Sequence, residues 1–273
     1  QIINSHIELS LDESISPEYY FSIFSPLSTL IETIDDDIKL LMPHIDDLIK
    51  AIFLCISKSL NDYCHTEESI SEYIALLIND LIDCMNNEKL YAHAEAFFSY
   101  ESINEVYAVV VILSRFLEFS PSVAIKHSAE FAPMLLKYAN SECNHTVFEA
   151  SLVAISFLIQ DLGVKMNVFS KPIIEACLDA IQTEHYQLIV NAINTLHIAL
   201  TELDFNSDFL EVLATKMPEL ISIEDEQILR AAIPAITALI SKAEKDIIPY
   251  VPLFLQNIFQ LAQISEETYP IIK

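Results

Sequence analysis

The residues of this chain best placed to do chemistry are polar side chains set among apolar segments: Glu149, Gln160, Asn191, Asn194, Glu202 and Glu226. Their chemistry is recognition. A carboxylate attracts the ammonium of lysine or the guanidinium of arginine, and an asparagine amide can bond both the donor and the acceptor of an extended peptide backbone. The acidic triplet Glu224–Asp225–Glu226 extends the set, and Asp35–Asp36–Asp37 is a second triplet of the same kind. A plainer reading stays open for all of them. The single residues can be the solvated face of amphipathic helices, and the triplets can be N-terminal charges that complement a helix dipole.

Catalytic chemistry finds little support. The eight histidines, at 6, 44, 65, 93, 127, 145, 185 and 197, show neither i, i+4 nor H-E-x-x-H spacing, which argues against a catalytic zinc. His44 with Asp46 and Asp47 can share a helix end, a cluster that reads as surface charge. No G-x-S-x-G, Walker or G-x-G-x-x-G string is present, and a lone glycine, Gly163, cannot build a phosphate-cradling loop. No cofactor is expected. The five cysteines, at 55, 64, 84, 143 and 177, form no C-x-x-C pair and sit mostly in apolar text, so they read as packing residues of a reducing compartment, cytoplasm or nucleus. The sequon Asn144–His145–Thr146 is then a chance match.

What must position the polar residues is a repeat. An apolar signature at i, i+4, i+7 recurs about every 36 to 42 residues: Ile70/Ile74/Leu77, Val106/Val110/Leu113, Phe148/Leu152/Ile155, Ile189/Ile193/Leu196 and Leu229/Ile233/Ile236. Those offsets share one face of an α-helix, and a fixed period means one helical unit stacked repeatedly. The fold class is therefore all-α, an α-solenoid of about five to six helical hairpins. One glycine and no tryptophan in 273 residues, with no extended alternating pattern, leave no room for a sheet.

The signature helices, here B, fall at about 69–85, 104–119, 146–162, 187–203 and 226–242; their partners, A, fall at about 37–60, 88–99, 123–138, 168–181, 208–220 and 247–262. Asn140–Asn144 and Thr183–His185 are polar links within hairpins. Gly163 is expected to end a B helix as a left-handed cap, and Ser120 and Ser170, each near an early proline, to start A helices. Pro43, Pro133, Pro218, Pro249 and Pro252 fall in A helices, with Pro234 an exception in a B helix. Residues 1–36 hold leading helices, with 16–34 either one B helix or a broken pair, and residues 37–273 form the array, expected to be a fragment of a longer solenoid.

With 14 basic against 40 acidic side chains the net charge is −26. Such a body repels phosphate backbones and anionic lipid, so neither direct nucleic-acid binding nor membrane insertion is expected, and basic proteins are its natural partners. The same charge also serves simply to keep an apolar-rich solenoid dissolved. The mean hydropathy of +0.38 reads as core, because the longest apolar run is far short of the ~18 residues a membrane span needs.

From about Ala124 onward the text resembles the HEAT arrays of the karyopherin-β family, the importin-β-like nuclear transport receptors. The residues that carry the resemblance are Glu130–Tyr138 leading into Thr146–Ala154, and Ile228–Ile236 leading into Asp246–Leu255, in roughly half the chain. The resemblance implies a non-enzymatic solenoid whose B helices line an acidic hollow that wraps basic protein or peptide cargo. Ran-GTP would compete for it, and nucleoporin Phe-Gly repeats would bind between A helices. The chain departs from the family's pattern in lacking tryptophan for inner aromatic pockets and any extended acidic loop. The alternative is a static HEAT-repeat scaffold or adaptor subunit of a multiprotein complex.

Overall fold

The computed structural model describes residues 2–12, 15–16, 19–34, 38–61, 70–221, 223 and 225–268. Thirteen α-helices follow one another with no strand among the described residues. They are α1 (Ile2–Ser10), α2 (Tyr20–Ile34), α3 (Ile45–Lys58), α4 (Ile70–Cys84), α5 (Asn87–Glu95), α6 (Ile103–Phe119) and α7 (Pro121–Tyr138). The series continues with α8 (His145–Leu162), α9 (Ser170–Ile181), α10 (Tyr186–Glu202), α11 (Leu210–Ile221), α12 (Glu226–Ala243) and α13 (Val251–Thr268).

Two layers result. The even-numbered helices pack in strict order, α2 on α4, α4 on α6, α6 on α8, α8 on α10 and α10 on α12. The odd-numbered ones form the second layer, the A helices, with α7, α9 and α11 each held against the B helix that follows. Neighbouring B helices touch along much of their length, whereas neighbouring A helices touch only at scattered points. The B layer is thus the closer-packed of the two. The region 16–34 holds a single B helix among its described residues, α2, with Pro26 inside it, and α1 adds an A-layer helix ahead of it that the apolar signature does not mark.

The signature residues are the seam. Val106, Val110, Leu113, Phe148, Leu152, Ile155, Ile193 and Leu196 are all buried. Ile189 and Leu229 are half-buried, and Ile233 is open, at 57% exposed, while the adjacent register Ile228, Ala232, Ala235 and Leu239 is buried. The reason is its place in the series. On α10 the face of Val190, Ile193 and Leu200 is buried, whereas on α12 the equivalent face of Arg230, Ile233, Thr237 and Ile240 is open, because no B helix follows α12 among the described residues.

Polar bonds between repeats join residues about one period apart. Asn167 bonds Asp204, with Asp204 N donating to Asn167 Oδ1 at 2.9 Å, Lys242 Nζ donates to the Leu203 carbonyl at 3.1 Å, and Lys126 pairs with Glu88. His93 meets Asp46 at 2.6 Å, which draws the surface cluster beside His44 into a contact between α3 and α5.

Several local expectations change. Gly163 does take a positive φ of 51°, but its ψ of −128° is not the left-handed helical region, so it breaks α8 without the expected cap geometry. Ser170 does not cap α9, because the chain enters that helix through a 3-10 stretch, Gly163–Phe169. Pro121 stands at the first position of α7, yet Ser120 makes no side-chain cap bond. Pro43 and Pro249 lie in 3-10 turns ahead of α3 and α13, where no α-helical donor is lost. By length and composition alone the helical stretch His145–Ile181 could cross a bilayer. Its apolarity has a packing cause: α8 is enclosed by α6, α7 and α10, and Gly163 divides the stretch. Asp35–Asp36–Asp37, Cys64, His65 and Glu224 lie outside the described residues.

Candidate functional site

Caps fix the phase of the B helices. Asn144 Oδ1 accepts from Thr146 N at 2.9 Å and starts α8, and Asp225 Oδ1 accepts from Gln227 N and Ile228 N, at 2.9 and 3.0 Å, and starts α12. The backbone donors, with the Tyr186 hydroxyl, hold the Asp225 carboxyl below the usual carboxylate range. Tyr186 Oη donates to Asp225 Oδ1 at 2.7 Å, and the His145 ring stacks on His185 at 3.8 Å. The starts of α8, α10 and α12 are thus tied into one row along an edge of the B layer.

With the helices in phase, their free faces align. Glu149 on α8 and Asn191 on α10 meet, Asn191 Nδ2 donating to Glu149 Oε1 at 3.0 Å. Beneath them the buried Thr195 hydroxyl reaches the carbonyls of Asn191, at 2.8 Å, and Leu152, at 3.2 Å. Gln160, Asn194 and Glu202 are exposed. Glu226 is exposed and pairs with Arg230 one turn on, Arg230 Nε donating to Glu226 Oε1 at 3.0 Å. Asp225 is spent on its cap. Of the residues singled out for partner binding, the fold therefore brings Glu149 and Asn191 together and leaves Gln160, Asn194 and Glu202 open on the same layer. Half-buried Val153, Phe157 and Ile198 run between them.

The last four helices of the layer are less acidic than the whole chain. Helices α6, α8, α10 and α12 carry Glu105, Glu118, Glu149, Asp161, Glu202 and Glu226 against Arg115, Arg230 and Lys242, so most of the −26 lies elsewhere. Glu118 is paired with Arg115 at 2.9 Å, and Glu105 closes the capping box of α6. Asp161 is different: burial raises its pKa, and its Oδ2 has no hydrogen-bond partner.

No reactive thiol appears among the described residues whose titration shifts. Burial pushes the Cys55 thiol up to about 12 and raises Cys177 and Cys143 as well, so these stay protonated and poorly nucleophilic at neutral pH. Among the described residues one group could hold a metal: Glu95, His127 and Glu130 offer ligand atoms within 4.8 Å of one another. They come from α5 and α7, and neither carboxylate stands out in the sequence, because their approach depends on where α5 stops.

No protein-family model matches this chain, and no curated protein matches it. Solved structures do. It superposes on Kap121p bound to Pho4p with a TM-score of 0.59 at 12% identity, covering 98% of this chain and 34% of that one. The karyopherin Kap121p bound to the SUMO protease Ulp1p gives 0.60 at 12%, over 99% and 34%. A designed armadillo repeat protein gives 0.51 at 15%, over 87% of this chain and 99% of that one. The fold is thus a HEAT/armadillo-like solenoid of karyopherin type, and the chain spans about a third of the length of the Kap121p chains it matches.

Proposed function

We propose that this chain is a non-enzymatic, protein-binding solenoid of the nuclear-transport-receptor kind, whose B-layer face takes up extended basic segments of cargo under Ran-GTP control in cytoplasm and nucleus. The observation that carries the reading is the open polar set Gln160, Asn194 and Glu202, aligned with the Glu149–Asn191 pair on helices that stack without a break. Asn194 supplies an amide for the peptide backbone, and Glu149 and Glu202 supply charge for its lysines or arginines. The likeness to Kap121p, a karyopherin solved with Pho4p and with Nup53p, supports a protein partner. Nucleoporin Phe-Gly repeats are further partners on this reading.

A static scaffold is the second reading, favoured by one observation: Glu118, Glu149 and Glu226 already have partners, and Phe157 and Ile198 offer apolar contact between them. Salt dependence separates the two. Fluorescence anisotropy with an arginine- and lysine-rich peptide should show affinity falling steeply from about 50 to about 300 mM salt. A pull-down with GTP-locked and GDP-bound Ran should favour the GTP form. Salt-insensitive binding with no Ran preference would place the scaffold first.

A further inference from the structure

A cleft lies away from the B-layer face, where α5 stops. Helix α5 has only nine residues, and after Glu95 the chain turns away, so a cavity of about 220 Å³ opens between its end and α7, floored by Leu113 of α6. Its walls are aromatic. Tyr91 lies edge-on to Phe98 at 6.2 Å and to Phe131 at 5.7 Å between ring centroids, and Tyr100 closes the mouth.

The rim is acidic. Carboxylate oxygens of Glu95 and Glu130 lie within 4.8 Å of each other and of a nitrogen of His127. Glu95 accepts from Tyr91 Oη at 3.2 Å, and Glu130 lies 3.9 Å from His127 Nδ1. Neither carboxylate forms an ion pair with a lysine or arginine among the described residues, so two like charges are held close at the rim of an aromatic-lined cavity. Burial and the nearby carboxylates raise the pKa of both Tyr91 and Tyr100, which marks the cleft as a place that opposes further negative charge.

The His127 ring already packs on Tyr91 and Phe131, at 4.6 and 5.6 Å between centroids, so Phe98 and Tyr100 are the more open rings of the cleft. Aromatic walls and paired carboxylates share one complement, an organic cation. A metal ion would use the carboxylates and His127 but gain nothing from the four rings, and the cavity is too small for a drug-sized ligand yet ample for one side chain. We propose that this cleft is a binding pocket for a single arginine or lysine side chain of a partner protein, with Glu95 and Glu130 pairing the charge and Tyr91, Phe98, Tyr100 and Phe131 enclosing its stem. The pocket is separate from the B-layer face and stands or falls independently of it.

The test is NMR on the whole chain with a labelled Met134 methyl, which lines the cavity. The probes are a capped Gly-Gly-Arg-Gly-Gly peptide, its lysine counterpart and its citrulline counterpart, which keeps the shape of arginine without the charge. The arginine or lysine peptide should shift Met134 saturably, the double variant Glu95→Gln/Glu130→Gln should weaken that binding about tenfold, and citrulline should leave the signal unmoved. Both substitutions are on exposed side chains, and unchanged helical circular dichroism verifies the fold. Equal shifts with citrulline, or affinity unaffected by the double variant, would overturn the proposal. So would zinc chloride saturating the site through His127 while neither basic peptide binds.

Discussion

Gly163 and Glu244 adopt the same unusual backbone conformation two repeats apart, φ 51° and ψ −128° against φ 48° and ψ −115°. Each stands directly after a B helix, and each opens a 3-10 stretch, Gly163–Phe169 or Glu244–Tyr250, that leads into the next A helix. The connection is one structural device used twice. Glycine enters it freely, whereas glutamate carries a Cβ into a region that side chains avoid. Glu244→Gly should therefore stabilise the chain by about 1 kcal/mol, and Gly163→Ala should cost about 1–2 kcal/mol although open space surrounds its Cβ position. Urea unfolding of the two variants checks both signs.

The stacked rings of His145 and His185 make stability depend on pH. Burial, and then the charge of His185, hold the His145 pKa below its ordinary 6.5. The unfolded chain therefore takes up this proton first, so the contribution is whole above about pH 6.5 and declines as pH falls below it. His185→Phe keeps a ring for stacking and removes the charge. Compared between about pH 7.5 and about pH 5.5, the variant should lose less stability than the parent chain. An equal or larger loss would show that His185 does not depress the His145 pKa.

Ile193 and Ile233 occupy equivalent places in successive repeats, one fully buried and one 57% exposed. Ile193→Ala should cost about 2–5 kcal/mol, and Ile233→Ala about 0.5 kcal/mol or less. Thermal unfolding of the two variants measures how far burial in this array comes from the following helix rather than from the residue itself.

On the B-layer face, Asn194→Ala should weaken basic-peptide binding about three- to tenfold, the worth of one backbone hydrogen bond, while leaving stability unchanged because the side chain is exposed. Asn191→Ala removes one donor to Glu149 and leaves the open amide of Asn194 in place, so its effect on binding should be smaller. Anisotropy titrations of both variants with one peptide give the ratio.

Architecture was legible in the residues because helix phase and burial follow the apolar period: Phe148, Leu152 and Ile155 are buried where their spacing puts them. What escaped depended on neighbours. Ile233 carries the signature but lacks the helix that would cover it, and Ser170 has the residue type of a cap but is reached through a 3-10 turn. Gly163 announced a positive φ; its ψ came from the connection that follows. The Glu149–Asn191 contact was latent in two residues one period apart, whereas Glu95 and Glu130 meet only because α5 is short.

Hydrogen–deuterium exchange of the chain with and without an arginine- and lysine-rich peptide tests the central claim most directly. Binding along the B-layer face predicts slower exchange in α8 and α10, His145–Leu162 and Tyr186–Glu202, with α9 and α11 unchanged. Protection confined to the A helices, or none at peptide concentrations that saturate the anisotropy signal, would contradict it.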